Sequence, residues 1–246
     1  MNSVYTIKNL KFSYGKFQLF IENFKIFKND KIAILGENGC GKSTLLNILS
    51  AYYIEYIGDI LFFNKNLKFF NEKERAKKLS YLSQFATISF NYTIYETILF
   101  GRFPYLKGEK FSEEDYRKTN LLLKKFNLEK YRNREFFTLS GGEKRKVMVA
   151  RTLNQETEVV LLDEPTSMVD IKFSLFILDY ISKLNSTVIA SIHDINLALQ
   201  FFQRFIFMKN GKIIFDLCRD KINEEVLYET YEVRFNRIGS YFIPDY

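Results

Sequence analysis

"GENGCGKST", residues 36–44, packs three glycines, a lysine and two hydroxyls into nine positions, and the apolar run "KIAIL", 31–35, leads straight into it. That run is short and bounded by the turn pair Asn29-Asp30, which predicts a buried strand. Beyond the turn, "STLLNILSAYY", 43–53, places Leu45, Leu46 and Leu49 at helical spacing, so the turn joins a strand to a helix. Gly36, Gly41, Lys42 and Ser43 meet the pattern G-x-x-x-x-G-K-[ST], with Gly39 adding backbone freedom. Backbone N–H groups of such a turn converge on phosphate oxygens, and the following helix adds its positive end. Lys42 would reach the β and γ phosphates of a nucleoside triphosphate, and the Ser43 hydroxyl would ligate Mg²⁺.

Upstream, "VYTIKNLKFSYGKFQLFIENFKIF", 4–27, is rich in β-branched and aromatic residues and breaks at Tyr14-Gly15, which reads as antiparallel strands. Downstream, the character changes from 86 to 155: Ser112 opens a capping box with Asp115 ahead of Leu121, Leu122 and Phe126 at helical spacing. Strand signals return at "EVVLLD", 158–163, and "TVIASIH", 187–193, with helical stretches between and after them. Such alternation means a parallel sheet. The expected fold is α/β of the P-loop NTPase kind, with a mixed or parallel sheet core, an N-terminal antiparallel β part and an inserted helical subdomain. One domain, 1–246, is expected, with a core lobe at about 1–85 and 156–246 and a helical lobe at about 86–155.

Composition bounds the functions. At 246 residues the chain can bury a sizeable core. Its 36 Lys+Arg against 29 Asp+Glu leave a net charge of +7, but the lysines are spread out and form no basic block or basic-aromatic array, so no nucleic-acid partner is expected. No apolar run approaches the roughly 18 residues of a membrane span, and "MNSVYTIKNLKFSYG" lacks the zones of a signal peptide; a soluble, cytosolic chain is expected. Cys40 and Cys218 have no CxxC or ligand spacing, which predicts two free thiols.

A phosphate loop alone indicates only a nucleoside triphosphate, so a second carboxylate site has to supply the mechanism. "VVLLDEP", 159–165, ends an apolar run on Asp163, suited to hold Mg²⁺ through water, and Glu164, suited to polarise an attacking water. "LSGGEKRKVMVAR", 139–151, taken alone, is a helix start with Ser140 as cap. The phosphate loop, "LSGGE" and "LLDEP", in this order, resemble the ATP-binding cassette (ABC) ATPase family, and the resemblance spans almost the whole chain.

The resemblance implies ATP and Mg²⁺ as cofactors. It implies that Gly36, Glu37, Asn38, Gly39, Cys40, Gly41, Lys42, Ser43 and Thr44 cradle the phosphates. Tyr14, in "FSYGK", would stack on adenine. Gln84, ending "SYLSQ", would touch Mg²⁺ and link the site to a membrane partner; Ser43 and Asp163 complete the metal set. Glu164, Lys42, Gln84 and His193, the only histidine, form the implied catalytic group, with His193 ending a strand as a γ-phosphate switch. Ser140, Gly141 and Gly142 would bind the γ-phosphate of ATP held by an opposite subunit, which Asp170, in "TSMVD", would contact. Two departures stand out: Asn29-Asp30 replaces a common glycine turn, and Met168-Val169 alters the loop before Asp170.

One phosphate loop and one "LSGG" imply a homodimer, or a pair with a similar chain, around two ATP. With no membrane segment, transport would need a separate integral-membrane permease, a substrate-binding protein acting through it, and a place on the cytoplasmic face of the membrane. "TIYETILFGRFPYLKG", 93–108, "IHDINLALQFFQRFIFMKNGKII", 192–214, and "EEVLYETYEVRFNRIGSYFIP" resemble ATPases of iron-siderophore, haem and vitamin B12 importers. "GRFPY" is expected on the helical lobe, facing the permease. The alternatives are a zinc or manganese importer, an exporter, and a non-transport ABC protein.

Overall fold

The computed structural model describes residues 2–245. Antiparallel β1 (Ser3–Tyr14) and β2 (Phe17–Phe27) turn back at Tyr14-Gly15, and β4 (Ile57–Phe62) and β5 (Lys65–Asn66) extend them into a four-stranded sheet once β3 (Lys31–Leu35) and α1 (Lys42–Leu49) have intervened. Next come α2 (Glu72–Lys78) and β6 (Leu79–Leu82). Between Leu82 and the following strand lie only α3 (Ile94–Leu99), α4 (Glu113–Lys125), α5 (Gly141–Asn154) and short 3-10 turns. β7 (Val159–Asp163), α6 (Ile171–Ser182), β8 (Thr187–Ser191), α7 (Ile195–Phe201), β9 (Arg204–Lys209) and β10 (Lys212–Cys218) follow. The chain closes with α8 (Glu224–Tyr231) and the hairpin β11 (Phe235–Ile238) and β12 (Tyr241–Pro244).

The second sheet runs β10-β9-β3-β8-β7-β6, parallel throughout except for the β9–β10 pair. β3, β7 and β8 are buried along their whole length because both faces are covered, so alternate residues serve two cores. Ile32 and Ile34 of β3 and Val159 and Leu161 of β7 join the core under the N-terminal sheet and α1. Ala33, Leu35, Val160 and Leu162 join the core under α3 to α7. Each fully buried Ile or Leu contributes about 1.5–3 kcal/mol. All three central strands therefore deliver their C-terminal ends, and the residues after them, to one fixed edge.

Three sequence expectations need adjustment. α1 stops at Leu49 because Ala51 turns into the left-handed region (φ 58°) and Ser50 bonds back to Asn47. α4 opens with the expected Ser112–Asp115 capping box, yet Leu121 is 52% exposed and Leu123 takes the buried place beside Leu122. β8 ends at Ser191, so His193 sits two residues beyond the strand. No described helix is long and apolar enough to cross a membrane, and both cysteines are free.

Candidate functional site

The phosphate loop adopts backbone angles that a side chain resists. Gly41 caps α1 at φ 110°, and a Cβ there would lie 2.8 Å from the Phe17 ring. α1 has no side-chain cap and no acid in its first turn, so the orphan N–H groups and partial positive charge of its start remain available to an anion. Lys42, 6% exposed, donates to the carbonyls of Gly36 (2.7 Å) and Glu37 (2.8 Å). The third donor of this ammonium faces only the weak acceptor Cys40 Sγ at 3.9 Å, a contact a phosphate oxygen would readily replace. Burial raises the pKa of the Cys40 thiol against the opposing pull of Lys42, which suits a packing residue.

A cavity of about 500 Å³ opens over this loop, lined by Tyr14, Asn38, Gly39, Gly41, Lys42, Ser43, Thr44, Gln84, Glu164 and His193 together with Phe12, Phe17 and Tyr53. Residues from six separate stretches of sequence thus meet there. Gly36 and Cys40 are buried within the loop, and Glu37 is exposed beside it. Asp163 lies beneath, 1% exposed, its Oδ1 accepting from Ser191 Oγ at 2.6 Å.

Glu164 is held from every side. Its N–H donates to Ser191 Oγ (2.9 Å), its carbonyl accepts from Arg145 Nη2 (2.8 Å), and its Oε1 accepts from Gln84 Nε2 (3.1 Å) and lies 2.7 Å from His193 Nε2. Its φ of 51° is a left-handed conformation that costs a non-glycine residue on the order of 1–3 kcal/mol and persists only where neighbours over-determine it. Here they do, and the carboxylate faces the cavity.

Among the described residues no group of three or more His, Cys, Asp or Glu could hold a metal ion. That excludes a carboxylate cage, not Mg²⁺, which takes one or two carboxylates and fills its octahedron with waters and phosphate oxygens. The Ser43 hydroxyl, the amide oxygen left over when Gln84 Nε2 donates to Glu164, and the Asp163 oxygen not bonded to Ser191 form an all-oxygen set that fits Mg²⁺.

The "LSGG" residues are elsewhere. Ser140 caps α5 and exchanges bonds with Glu143: Ser140 N–H donates to Glu143 Oε2 (2.8 Å) and Glu143 N–H to Ser140 Oγ (3.3 Å). Gly142 allows close approach, since a Cβ there would lie 2.6 Å from the Met168 carbonyl oxygen. Asp170 caps α6 and accepts from Lys146 Nζ (2.6 Å); that ammonium and the Phe173 N–H hold its carboxyl below the usual range. Ser140, Gly141, Gly142 and Asp170 do not line the cavity.

Sequence reasoning missed Arg145 and Ser191. Arg145 hides in "EKRK", which reads as solvated charge; the available signal was its place three and four residues before the apolar Met148 and Val149. Ser191 ends a strand with no motif around it. Within "GRFPY", which lies between α3 and α4, Arg102 is 4% exposed and donates to Asp115 Oδ1 (2.8 Å) and the Asn154 carbonyl (2.8 Å). Phe103 is the member of that stretch that turns outward.

Comparison with known proteins identifies the family. The sequence profile of the ABC transporter family matches residues 21–167. An uncharacterized ABC transporter ATP-binding protein of Methanocaldococcus jannaschii is 37% identical, the match covering 94% of this chain and 92% of that protein. The petrobactin import ATP-binding protein of Bacillus subtilis is 32% identical over 96% of this chain and 98% of its own, and the phosphonates import ATP-binding protein of Fusobacterium nucleatum is 30% identical over 94% and 99%. Among solved structures, a transporter assigned to the metal-chelate type, in an inward-facing conformation, superposes with a TM-score of 0.80 at 27% identity, covering 100% of this chain and 98% of its own. A dimeric cassette in a post-hydrolysis state, bound to ADP and Pi, superposes at 0.76 and 27%, covering 87% and 98%. The match of the family profile to most of the chain, relatives aligned along nearly their full length, and a Glu164 carboxylate held over a phosphate loop make this chain a member of the ABC transporter family, an ATP-hydrolysing cassette.

Proposed function

We propose that this chain is the ATPase of an importer for a chelated metal cofactor, a ferric siderophore, haem or cobalamin. The observation that carries the hydrolytic part is Glu164, whose carboxylate faces the cavity above Lys42 while its backbone is locked by Ser191 and Arg145. In that reading Glu164 takes the proton of the attacking water, and His193 and Gln84 keep the carboxylate aimed at it. Lys42 and the α1 N–H groups neutralise the phosphates, and Tyr14 covers the base. Ser43, Gln84 and Asp163 would hold Mg²⁺, which would supply positive charge to offset that of the phosphates.

Ser140, Gly141, Gly142 and Asp170 stand away from that cavity, which supports a homodimer in which each chain offers its "LSGG" to ATP held by the other. The permease docks on the helical region near Gln84 and receives the cargo from a substrate-binding protein, with the cassette on the cytoplasmic face of the membrane. The petrobactin relative and the metal-chelate structure favour a chelate; the phosphonate relative favours a small oxyanion as second reading. Glu164→Gln is expected to keep ATP binding, trap a dimer and lose at least ~10²-fold in turnover. Wild-type turnover in that variant refutes the assignment. For the cargo, the complex in vesicles is expected to respond to binding protein loaded with ferric siderophore, haem or cobalamin; stimulation by phosphonate, bare zinc or manganese alone refutes it.

A further inference from the structure

Arg145 sits on α5, five residues after Ser140, yet its side chain leaves the helical region and ends among the segments that carry the catalytic groups. Nη1 donates to the carbonyls of Ser83 (3.0 Å) and Gln84 (3.2 Å). Nη2 donates to those of Asp163 and Glu164, the latter at 2.8 Å. One planar guanidinium therefore spans two segments some eighty residues apart in sequence, the loop after β6 and the end of β7. Only the fork geometry of arginine can pair with two carbonyls on each side; an ammonium is a point donor.

The arrangement is costly. Arg145 is 7% exposed, and its Nε is a buried nitrogen without any hydrogen-bond partner. Burial lowers its pKa, with the Asp163 and Glu164 charges acting the other way. A buried cation with an orphan donor is a poor device for stability alone, and local violations of that kind concentrate at functional sites. What it secures is the backbone of Glu164 at φ 51°, at the carbonyl end, as Ser191 secures it at the N–H end.

We propose that Arg145 is a positioning residue that couples the two ATP sites of the dimer, transmitting engagement of the α5 start to the Glu164 and Gln84 of the same chain. This rests on the two-subunit reading above. In that reading the α5 start of one chain touches the ATP held by its partner, whereas Glu164 of the same chain works on its own ATP. Arg145 joins them, part of α5 at one end and hydrogen-bonded to the catalytic segments at the other: a shift of α5 moves the guanidinium, and the guanidinium carries the carbonyls of Ser83, Gln84, Asp163 and Glu164. The neighbouring Lys146–Asp170 pair ties the same helix to the loop before α6, so the start of α5 and the catalytic edge move as one body.

The test uses the full chain, ATP as ligand, and the variants Arg145→Gln and Arg145→Lys. The wild type is expected to hydrolyse ATP with a Hill coefficient approaching ~2, the ceiling for two coupled sites. Both variants are expected to bind ATP within about threefold of wild type, to lose about 10²-fold in kcat, the scale of misplacing a catalytic group by about 1 Å, and to fall to a Hill coefficient of about 1. Arg145→Lys retains charge and most of the volume, so it separates loss of the fork from loss of folding; melting temperatures of both are recorded alongside. A melting temperature lowered in either variant with kcat and Hill coefficient unchanged overturns the coupling, as does full cooperativity in Arg145→Lys. A Hill coefficient of about 1 in the wild type, with no dimer trapped by Glu164→Gln, overturns the two-subunit reading itself.

Discussion

The starts of α1 and α5 are both helix N-termini with glycines at the junction, before α1 and in the first turn of α5, and they are prepared for ligands in opposite ways. α1 begins at Gly41 with no side-chain cap and no acid, so nothing in the chain competes for its N–H groups. α5 begins at Ser140 with a closed capping box, and Glu143 places a carboxylate in the first turn. The first end is an open anion site; at the second the box pairs the Ser140 and Glu143 N–H groups, leaves those of Gly141 and Gly142 free, and sets a carboxylate beside them. An anion reaching α5 meets those two N–H groups but also the Glu143 carboxylate, so it has to be held from elsewhere against that repulsion. In the two-subunit reading proposed above, the difference matches a nucleotide seated at the α1 end of one chain and met by the α5 end of the other.

The largest expected effect breaks the open end. Lys42→Ala removes a charged donor worth about 1.5–3 kcal/mol per hydrogen bond, so ATP affinity measured by titration should fall about 10- to 100-fold and turnover should vanish. Retained affinity would show that the α1 backbone suffices. Next comes the closed end: Ser140→Arg should leave ATP affinity of the isolated chain within twofold and remove dimer turnover, about 10²-fold, as expected for loss of transition-state charge stabilisation. Mixing Lys42→Ala and Ser140→Arg chains creates dimers with one intact and one doubly broken site. Full activity of either variant alone would dissolve the contrast between the two ends.

Gly142→Ala comes third, since its Cβ would meet the Met168 carbonyl at 2.6 Å. The clash should cost about 1–3 kcal/mol, read as a lower melting temperature, with ATP affinity in the α1 cavity preserved. The smallest effect concerns the cap. The N–H and hydroxyl of Ser140, with Arg134 beyond, hold the Glu143 carboxyl below its ordinary value. A depressed folded pKa contributes stability that is present above the unfolded value of about 4.3 and is lost as pH falls through the folded value. Glu143→Gln should therefore lower stability by about 0.5 kcal/mol at pH 7 and by nothing measurable once the pH is below the folded value. An equal loss at both pH values would show that the capping carboxylate contributes no charge.

Legibility followed the distance over which each feature is encoded. The strand-turn-helix around Gly36 to Thr44, the Ser112–Asp115 capping box and the Ser140 cap lie within a few residues, and each formed as the sequence indicates, the structure adding Glu143 as the partner of Ser140. Leu121 and Leu123 exchanged places because a helix's apolar stripe is broad enough that the facing elements choose its centre. Arg102 turned inward because Asp115 and the Asn154 carbonyl, from two other segments, wait there.

By itself, the sequence determined the phosphate loop, the two carboxylates at the end of β7 and the capped start of α5, because backbone preference and hydrogen bonding between near neighbours need no partner. Tertiary structure alone decided that Glu164 meets Gln84 and His193, that Ser191 and Arg145 clamp its strained backbone, and that Ser140 stands apart from the cavity. Those contacts join segments tens of residues apart, and only the order of strands in the parallel sheet brings them to one edge.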